Sequence, residues 1–159
     1  MTAKQQELFD KLYIENSKPL LKFAYSKLHD VSASEDLVQD TFTLAYEKFE
    51  ELQTHPDPQK WLYGVMRNKI KHELRARARF ASALGKLERE LLTARPVDGD
   101  HWRDILKGLT KDEFDLLKLI YVDGYHSREV ADKLNITYEA CRKRVQTAKD
   151  NLRNVFGKF

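Results

Sequence analysis

The chain has 159 residues, of which 42% are hydrophobic and 33% charged, and its formal net charge is +3. This length allows one domain or two small ones. The net charge is small, so the distribution of charged residues along the chain is more informative. The single cysteine, Cys141, excludes an intramolecular disulfide and a cysteine zinc cluster. The first residues lack the apolar core of a signal peptide, and the most apolar run, residues 116–122, is too short to span a membrane. We therefore expect a cytoplasmic protein without membrane insertion.

Hydrophobic periodicity predicts helices through the first half of the chain. An amphipathic first helix is expected to end near Asn16 and Ser17, and Pro19 is expected in the first turn of a second helix. Residues 32–35, Ser-Ala-Ser-Glu, form a capping box that predicts the start of a third helix, running to about Phe49. After the break at residues 55–58, a fourth helix is expected to begin at Pro58 and to end at about Arg79.

The second half of the chain predicts a separate helical domain. The turn-rich residues 95–100 indicate a linker, and a second capping box at residues 110–113 predicts a helix that reaches Tyr121. No stretch alternates as a strand would. We therefore predict an all-α protein with a four-helix domain over residues 1–80, a flexible linker over 81–101 and a C-terminal domain over 102–159.

Residues 125–144 predict a helix-turn-helix. Ala131 is small enough for two helices to cross closely, and Asn135 stands where the turn requires a residue that tolerates positive φ. Four apolar residues are expected to hold the second helix on the first: Leu134, Ile136, Cys141 and Val145. That second helix would expose Arg142, Lys143, Arg144 and Lys149 to DNA. The alternative is a basic amphipathic helix in an ordinary helical bundle.

Two helices of the first half carry opposite charges. On the third helix the face opposite the apolar arc is polar and acidic, formed by Asp36, Gln39, Asp40, Thr43, Glu47 and Glu50. On the fourth helix the corresponding face carries Arg67, Asn68, Lys71, His72, Arg75 and Arg79, and Glu73 is the only acid between Gln59 and Arg79. An acidic face can simply be solvated, but so many cations with only one acid among them favour contact with a nucleic-acid backbone.

Three motifs in order carry a resemblance that covers nearly the whole chain. Residues 35–42, EDLVQDTF, resemble the clamp-binding helix of bacterial RNA polymerase sigma factors. Residues 61–68, WLYGVMRN, resemble the signature before their minus-ten-reading helix, and the helix-turn-helix is similar to their minus-thirty-five-reading domain. The layout of these two domains alone matches the extracytoplasmic-function (ECF) subfamily. The chain departs from the family at His72, at residues 139–140 and at Thr147, so the promoter sequence does not follow from the resemblance.

The resemblance implies protein partners. The first domain would bind the β′ clamp of the polymerase core through Asp36, Gln39 and Asp40, with apolar burial by Leu37 and Phe42. The β flap of the core is a second expected contact. An anti-sigma factor that covers both domains is expected, and the chain would be a monomer when not bound.

The resemblance also implies two DNA-binding surfaces. At the minus-ten element Arg67, Lys71, Arg75 and Arg79 would lie near phosphates and Asn68 and His72 near base edges. The loop over residues 52–56, with Gln53, Thr54 and His55, would hold an extruded base. Trp61 would abut the last base pair, or else be a core tryptophan. At the minus-thirty-five element the candidates are Ser127, Tyr138, Glu139, Arg142, Lys143, Arg144 and Lys149, with Arg142 suited to guanine.

Enzymatic function is not expected. The histidines, His29, His55, His72, His101 and His126, have no metal-site spacing, and no phosphate-binding loop or serine elbow is present. We expect no cofactor and no metal. The main alternative is a stand-alone helix-turn-helix regulator with a partner-sensing or dimerisation domain. A second alternative is an adaptor that binds polymerase without touching DNA.

Overall fold

The computed structural model describes the backbone of residues 1–93 and 108–156, with side chains described up to 90 and from 108 to 154. Every regular element in these ranges is a helix, which confirms the all-α prediction. The helices are α1 (Ala3–Leu28), α2 (Val31–Glu47), α3 (Phe49–Thr54), α4 (Pro58–Thr93), α5 (Lys111–Tyr121), α6 (Ser127–Leu134) and α7 (Tyr138–Phe156). The chain divides into two compact units, Met1–Leu74 and Arg75–Phe159. Among the helices described, none has both the length and the apolar character needed to cross a membrane.

One helix, α1, replaces the two that the sequence predicted. Asn16 does not end it, because its side-chain amide donates a hydrogen bond to the Leu12 carbonyl one turn earlier, at 2.9 Å. The buried side chains Asn16, Leu20, Ala24 and Leu28 follow one another at four-residue spacing. This continuous buried face runs past the exposed Pro19, so packing overrides the local signal of a proline inside a helix.

The N-cap of α2 is Asp30, two residues before the predicted cap, Ser32. The carboxylate of Asp30, rather than a serine hydroxyl, accepts from the backbone N–H of Ala33 at 3.0 Å. Ser32 and Ser34 are buried inside the helix, where the Ser34 hydroxyl donates to the Asp30 carbonyl at 2.6 Å. Asp is as good a cap as Ser, so the sequence offered two competing starts and the capping-box pattern selected the wrong one.

The core of the first unit joins all its helices. The buried residues are Leu20, Ala24, Leu28, Val38, Phe42, Ala45, Phe49, Leu52, Leu62, Met66 and Ile70. Leu74, predicted to lie on the apolar side of α4, is 42% exposed. It is the last residue of this unit, and α4 has passed the packed part of the core by that point.

The second half of α4 belongs to the C-terminal unit. Phe80, Leu84 and Leu87 are buried with Leu109, Phe114, Leu117, Ala148 and Leu152. The Glu88 carboxylate on α4 forms an ion pair with the Lys118 ammonium on α5, at 2.6 Å. The hydrogen bond and negative charge of Glu88 raise the pKa of Lys118. The predicted helix end at Arg79 is therefore wrong, and residues 81–93, predicted as linker, are helical. The remainder of the predicted linker, residues 94–101, lies outside the described residues.

The helix-turn-helix is built by α6 and α7. Asn135 adopts φ 53° and ψ 44°, which confirms the predicted positive φ in the turn. The backbone N–H of Ile136 donates to the Ala131 carbonyl at 3.0 Å and closes α6. The core of this domain half contains Leu116 of α5 together with Val130, Ala131 and Cys141. The predicted capping box at the start of α5, formed by Thr110 and Glu113, is confirmed. Leu134, predicted as a packing residue, is 43% exposed, because α6 ends there and its packed face has turned away.

Candidate functional site: polar and aromatic surfaces of the two units

The acidic face of α2 is open to solvent. Asp36, Gln39 and Asp40 are exposed, and neither carboxylate forms an ion pair with any described residue. Leu37 beside them is half-buried, so part of its side chain can still contact a partner. Phe42 is only 4% exposed and lies against Tyr13 of α1, with ring centroids 4.8 Å apart. The role predicted for Phe42 is therefore revised, since it holds α2 on α1 and has little surface left for docking.

An aromatic groove between α1 and α2 adjoins this acidic face. It measures about 610 Å³ and is lined by the apolar residues Phe9, Tyr13, Leu21, Val38, Phe42 and Tyr46, with Ser17, Lys18, Glu35, Gln39 and Thr43 among them. The ring centroids of Phe9 and Tyr46 are 5.7 Å apart. The sequence analysis missed this groove. The sequence feature that could have predicted it is a pair of aromatic residues four apart on each helix, Phe9 with Tyr13 and Phe42 with Tyr46. The two pairs form one surface only after the helices pack.

The segment predicted as a base-binding loop is mostly helical. Leu52, Gln53 and Thr54 end α3, and Leu52 is fully buried in the core, so it cannot line an exposed site. Gln53 donates to the Glu50 carboxylate and accepts from Gln5 at 3.3 Å, and the Thr54 hydroxyl donates to the Glu50 carbonyl at 3.0 Å. The predicted base contacts of these side chains would therefore replace existing hydrogen bonds.

His55 follows the last residue of α3, and Trp61 lies in the first turn of α4. The ring Nδ1 of His55 accepts from the backbone N–H of Asp57 at 3.0 Å, which shapes the short connection to α4. Trp61 is half-buried against the first core, and its indole N–H donates to the Glu51 carboxylate at 3.1 Å. Part of the Trp61 ring is therefore packed in the core, and part remains accessible, so its contact with the last base pair stays a prediction.

The predicted basic face of α4 is exposed along its whole length. Its members are Arg67, Asn68, Lys71, His72, Arg75 and Arg79. None of the four cations forms an ion pair with a described residue. Unpaired cations along one side of a helix maintain a positive potential, which is what attracts a polyanion.

The exposed side of the recognition helix α7 carries Glu139, Arg142, Lys143 and Arg144, whereas Ser127 and Tyr138 are half-buried. The Thr137 hydroxyl caps α7 by accepting from the backbone N–H of Ala140 at 3.1 Å. Sequence analysis did not identify Arg128 of α6. Its guanidinium carbon lies 4.9 Å from the centre of the Tyr138 ring.

Lys149 differs from the other candidate cations of α7. It is half-buried, and its ammonium lies 5.2 Å from the Phe80 ring centre and 5.9 Å from that of Tyr121. Phe80 and Tyr121 are themselves stacked, with centroids 5.4 Å apart. The predicted phosphate contact of Lys149 would therefore compete with an intramolecular cation–π interaction.

Cys141 is shielded from solvent inside the helix-turn-helix. Cys141 is fully buried, and burial raises the pKa of its thiol, which disfavours the reactive thiolate. Within residues 1–90 and 108–154, no group of three histidine, cysteine or acidic residues is arranged to hold a metal ion.

Comparisons with known families match the two halves of the chain. The model for Sigma-70 region 2 matches residues 12–80, and the model for Sigma-70, region 4 matches residues 102–152. The chain is similar to the ECF RNA polymerase sigma factor SigL of Mycobacterium tuberculosis, at 28% identity over 95% of this chain and 90% of SigL.

Two further likenesses are more distant or partial. The chain is 25% identical to the probable RNA polymerase sigma factor RfaY of Xanthomonas campestris pv. campestris over 94% of its own length, but it spans only 40% of RfaY. A co-crystal structure of the sigma factor RpoE with the anti-sigma factor NepR from Bartonella quintana matches 93% of this chain and 96% of that chain at 21% identity. Its TM-score is 0.41, so this likeness carries no weight for function.

Proposed function

Since this chain belongs to the ECF sigma factors of bacterial RNA polymerase, we propose that it binds the core enzyme, directs it to specific promoters and helps to separate the strands of the minus-ten element. The observation that carries this proposal is the exposed row of cations on α4, in the part matched by Sigma-70 region 2. Neither a stand-alone helix-turn-helix regulator nor an adaptor that avoids DNA accounts for that row beside an exposed acidic helix.

Core polymerase would dock on α2. The exposed carboxylates of Asp36 and Asp40 are suited to a basic partner surface, where complementary charge mainly speeds and orients association. Charge alone contributes little affinity at an exposed site, so an apolar contact is also needed. The aromatic groove beside Gln39 supplies one, because Tyr13 and Tyr46 leave about half of their surface exposed.

DNA of the minus-ten element would lie along α4. Arg67, Lys71, Arg75 and Arg79 would contact phosphates, and each such contact releases counterions and adds to the salt dependence of binding. Asn68 and His72, between these cations, would reach base edges. Trp61 would stack at the edge of the melted region through the exposed part of its ring, with Gln53, Thr54 and His55 near an extruded base.

The upstream element would be read by α7. Glu139, Arg142, Lys143 and Arg144 are exposed on the helix that a helix-turn-helix inserts into the major groove. Arg142, one turn into the helix, would contact a base edge, because its planar fork matches the two acceptors of guanine. The β flap and an anti-sigma factor remain further partners that we predict from the family.

A run-off transcription assay with purified bacterial core RNA polymerase tests this function. The core alone should give no promoter-dependent transcript, and the core with this chain should start at defined sites on a library of promoter fragments. Site-specific DNA binding that is undiminished without core, together with no initiation in its presence, would favour the stand-alone regulator. Binding to core with no DNA crosslink to α4 would favour the adaptor.

A further inference from the structure

Tyr138 stands between two arginines of the helix-turn-helix. It is the first residue of α7, and its ring is half-buried. The guanidinium of Arg128, the second residue of α6, lies 4.9 Å from the ring centre, and that of Arg142, one turn along α7, lies 6.0 Å from it. Both arginines are exposed. One aromatic ring therefore gathers two guanidinium groups that come from different helices.

A stacked guanidinium keeps its hydrogen-bond donors available. Cation–π contact uses the flat face of the group, whereas its five N–H donors lie in the plane and point outward. A free arginine side chain loses much rotamer entropy when it binds, and an arginine already restrained by an aromatic ring loses less. The ring thus prepares both side chains for a polyanion without neutralising them, as a carboxylate partner would.

We infer that Tyr138 is a positioning residue that holds Arg128 and Arg142 as a pair of DNA-binding groups. Arg128 becomes a phosphate contact, since the first helix of a helix-turn-helix crosses the backbone. Arg142 becomes the base contact, since it lies near the start of the helix that enters the major groove. The inference rests on the proposed function. It adds Arg128 to the residues that contact DNA, and Tyr138 acts on DNA binding only through the two arginines.

The competing explanation is that Tyr138 contacts DNA through its own hydroxyl. The two explanations differ for Tyr138→Phe, which keeps the aromatic face and removes the hydroxyl. Positioning predicts that Tyr138→Phe behaves as wild type and Tyr138→Leu does not. Direct contact predicts that the two variants fail alike. Tyr125→Leu is a control for the loss of a ring beside a cation, because the Tyr125 ring lies 4.4 Å from Lys133, outside the proposed pair. Tyr125 also packs against the helix-turn-helix core, so circular dichroism must first show that this variant is folded.

The functional test uses the full chain with bacterial core RNA polymerase and a promoter library randomised in the upstream element. Arg128→Ala should weaken all sequences alike and lower the slope of log affinity against log salt by about one. Arg142→Ala should relax preference at one position. Tyr138→Leu should weaken binding about two- to fivefold and relax the same position as Arg142→Ala, whereas Tyr125→Leu should do neither. In the Arg128→Ala, Arg142→Ala background Tyr138→Leu should have no further effect.

A structural test on the free chain does not depend on transcription. The side-chain NMR signals of Arg128 and Arg142 should carry upfield ring-current shifts that Tyr138→Phe keeps and Tyr138→Leu removes. Unshifted arginine signals, equal damage by Phe and Leu, or wild-type selection by Tyr138→Leu would each overturn the inference. If the wild-type chain shows the ring-current shifts but no promoter-dependent initiation, the proposed function fails and the DNA role of the pair falls with it, while the restraint on the two arginines stands. If Tyr138→Leu does not fold, selection by Tyr138→Phe and the salt slope of Arg128→Ala decide the matter.

Discussion

The second half of α4 provides a sharp test of where the C-terminal unit begins, because two leucines on this helix differ mainly in burial. Leu84 is 1% exposed within the second core, whereas Leu74 is 42% exposed at the end of the first unit. Replacing either by alanine removes three carbon atoms and changes helix propensity by the same small amount. At Leu84 the lost transfer free energy is about 2.4 kcal/mol, and the cavity left behind brings the expected cost to about 2–5 kcal/mol. At Leu74 we expect less than about 1 kcal/mol.

Native-state hydrogen exchange distinguishes the units. In Leu84→Ala the slowest amides of α5 and α7 should exchange at least about twenty-five times faster, since about 2 kcal/mol is the lower end of the expected cost and 1.4 kcal/mol corresponds to a factor of ten. The slowest amides of α1 and α2 should be unchanged, and Leu74→Ala should leave α5 and α7 unchanged. Equal protection of α5 and α7 in wild type and Leu84→Ala would refute the reasoning. The C-terminal unit would then not depend on α4, and a boundary near residue 80 would stand.

The remaining predictions concern docking, melting, Lys149 and Cys141. Asp36→Lys with Asp40→Lys should weaken capture of core polymerase while circular dichroism stays unchanged, and unchanged capture would remove α2 from the interface. Trp61→Ala should reduce permanganate reactivity of promoter thymines more than closed-complex binding, whereas a loss limited to thermal stability would make Trp61 purely structural. Lys149→Ala should lower the stability of the C-terminal unit by about 0.5–1 kcal/mol through its lost cation–π contact, and an unchanged melting curve with a lower salt slope would restore its role at phosphate. Because burial raises the pKa of Cys141, its alkylation at pH 8 should be much slower than that of a free thiol and should accelerate on unfolding; rapid labelling of the folded chain would contradict its burial.

Sequence reasoning succeeded where one local rule acted without competition. Asn135 is the turn residue because little else in residues 125–144 tolerates positive φ, and Thr110 with Glu113 forms a complete reciprocal capping box. It failed where two rules competed. Asp30 and Ser32 both offered a start for α2, and only the packed structure selects between them.

Long-range packing explains the other differences. Pro19 indicated a helix start, but the buried face from Asn16 to Leu28 carries α1 through it. The stripe of Phe80, Leu84 and Leu87 has helical spacing, yet its charged neighbours make the segment resemble a solvated linker until α5 and α7 cover it. The candidate site divides in the same way. The exposure of charged faces on α2, α4 and α7 followed from periodicity, whereas the groove and the pairing of Arg128 with Tyr138 depend on how two separate helices pack together.

The open groove between α1 and α2 bears on how long the chain survives in a cell. A partner that seats apolar groups there binds the folded state and not the unfolded chain, so it stabilises the first unit by mass action. At a free partner concentration one hundred times Kd the gain is about 2.7 kcal/mol, which makes transient unfolding roughly a hundredfold rarer. Proteases act on transiently unfolded chains, so docked molecules would outlast undocked ones. Turnover would then remove surplus chain first, and its abundance would follow the number of polymerase molecules ready to receive it.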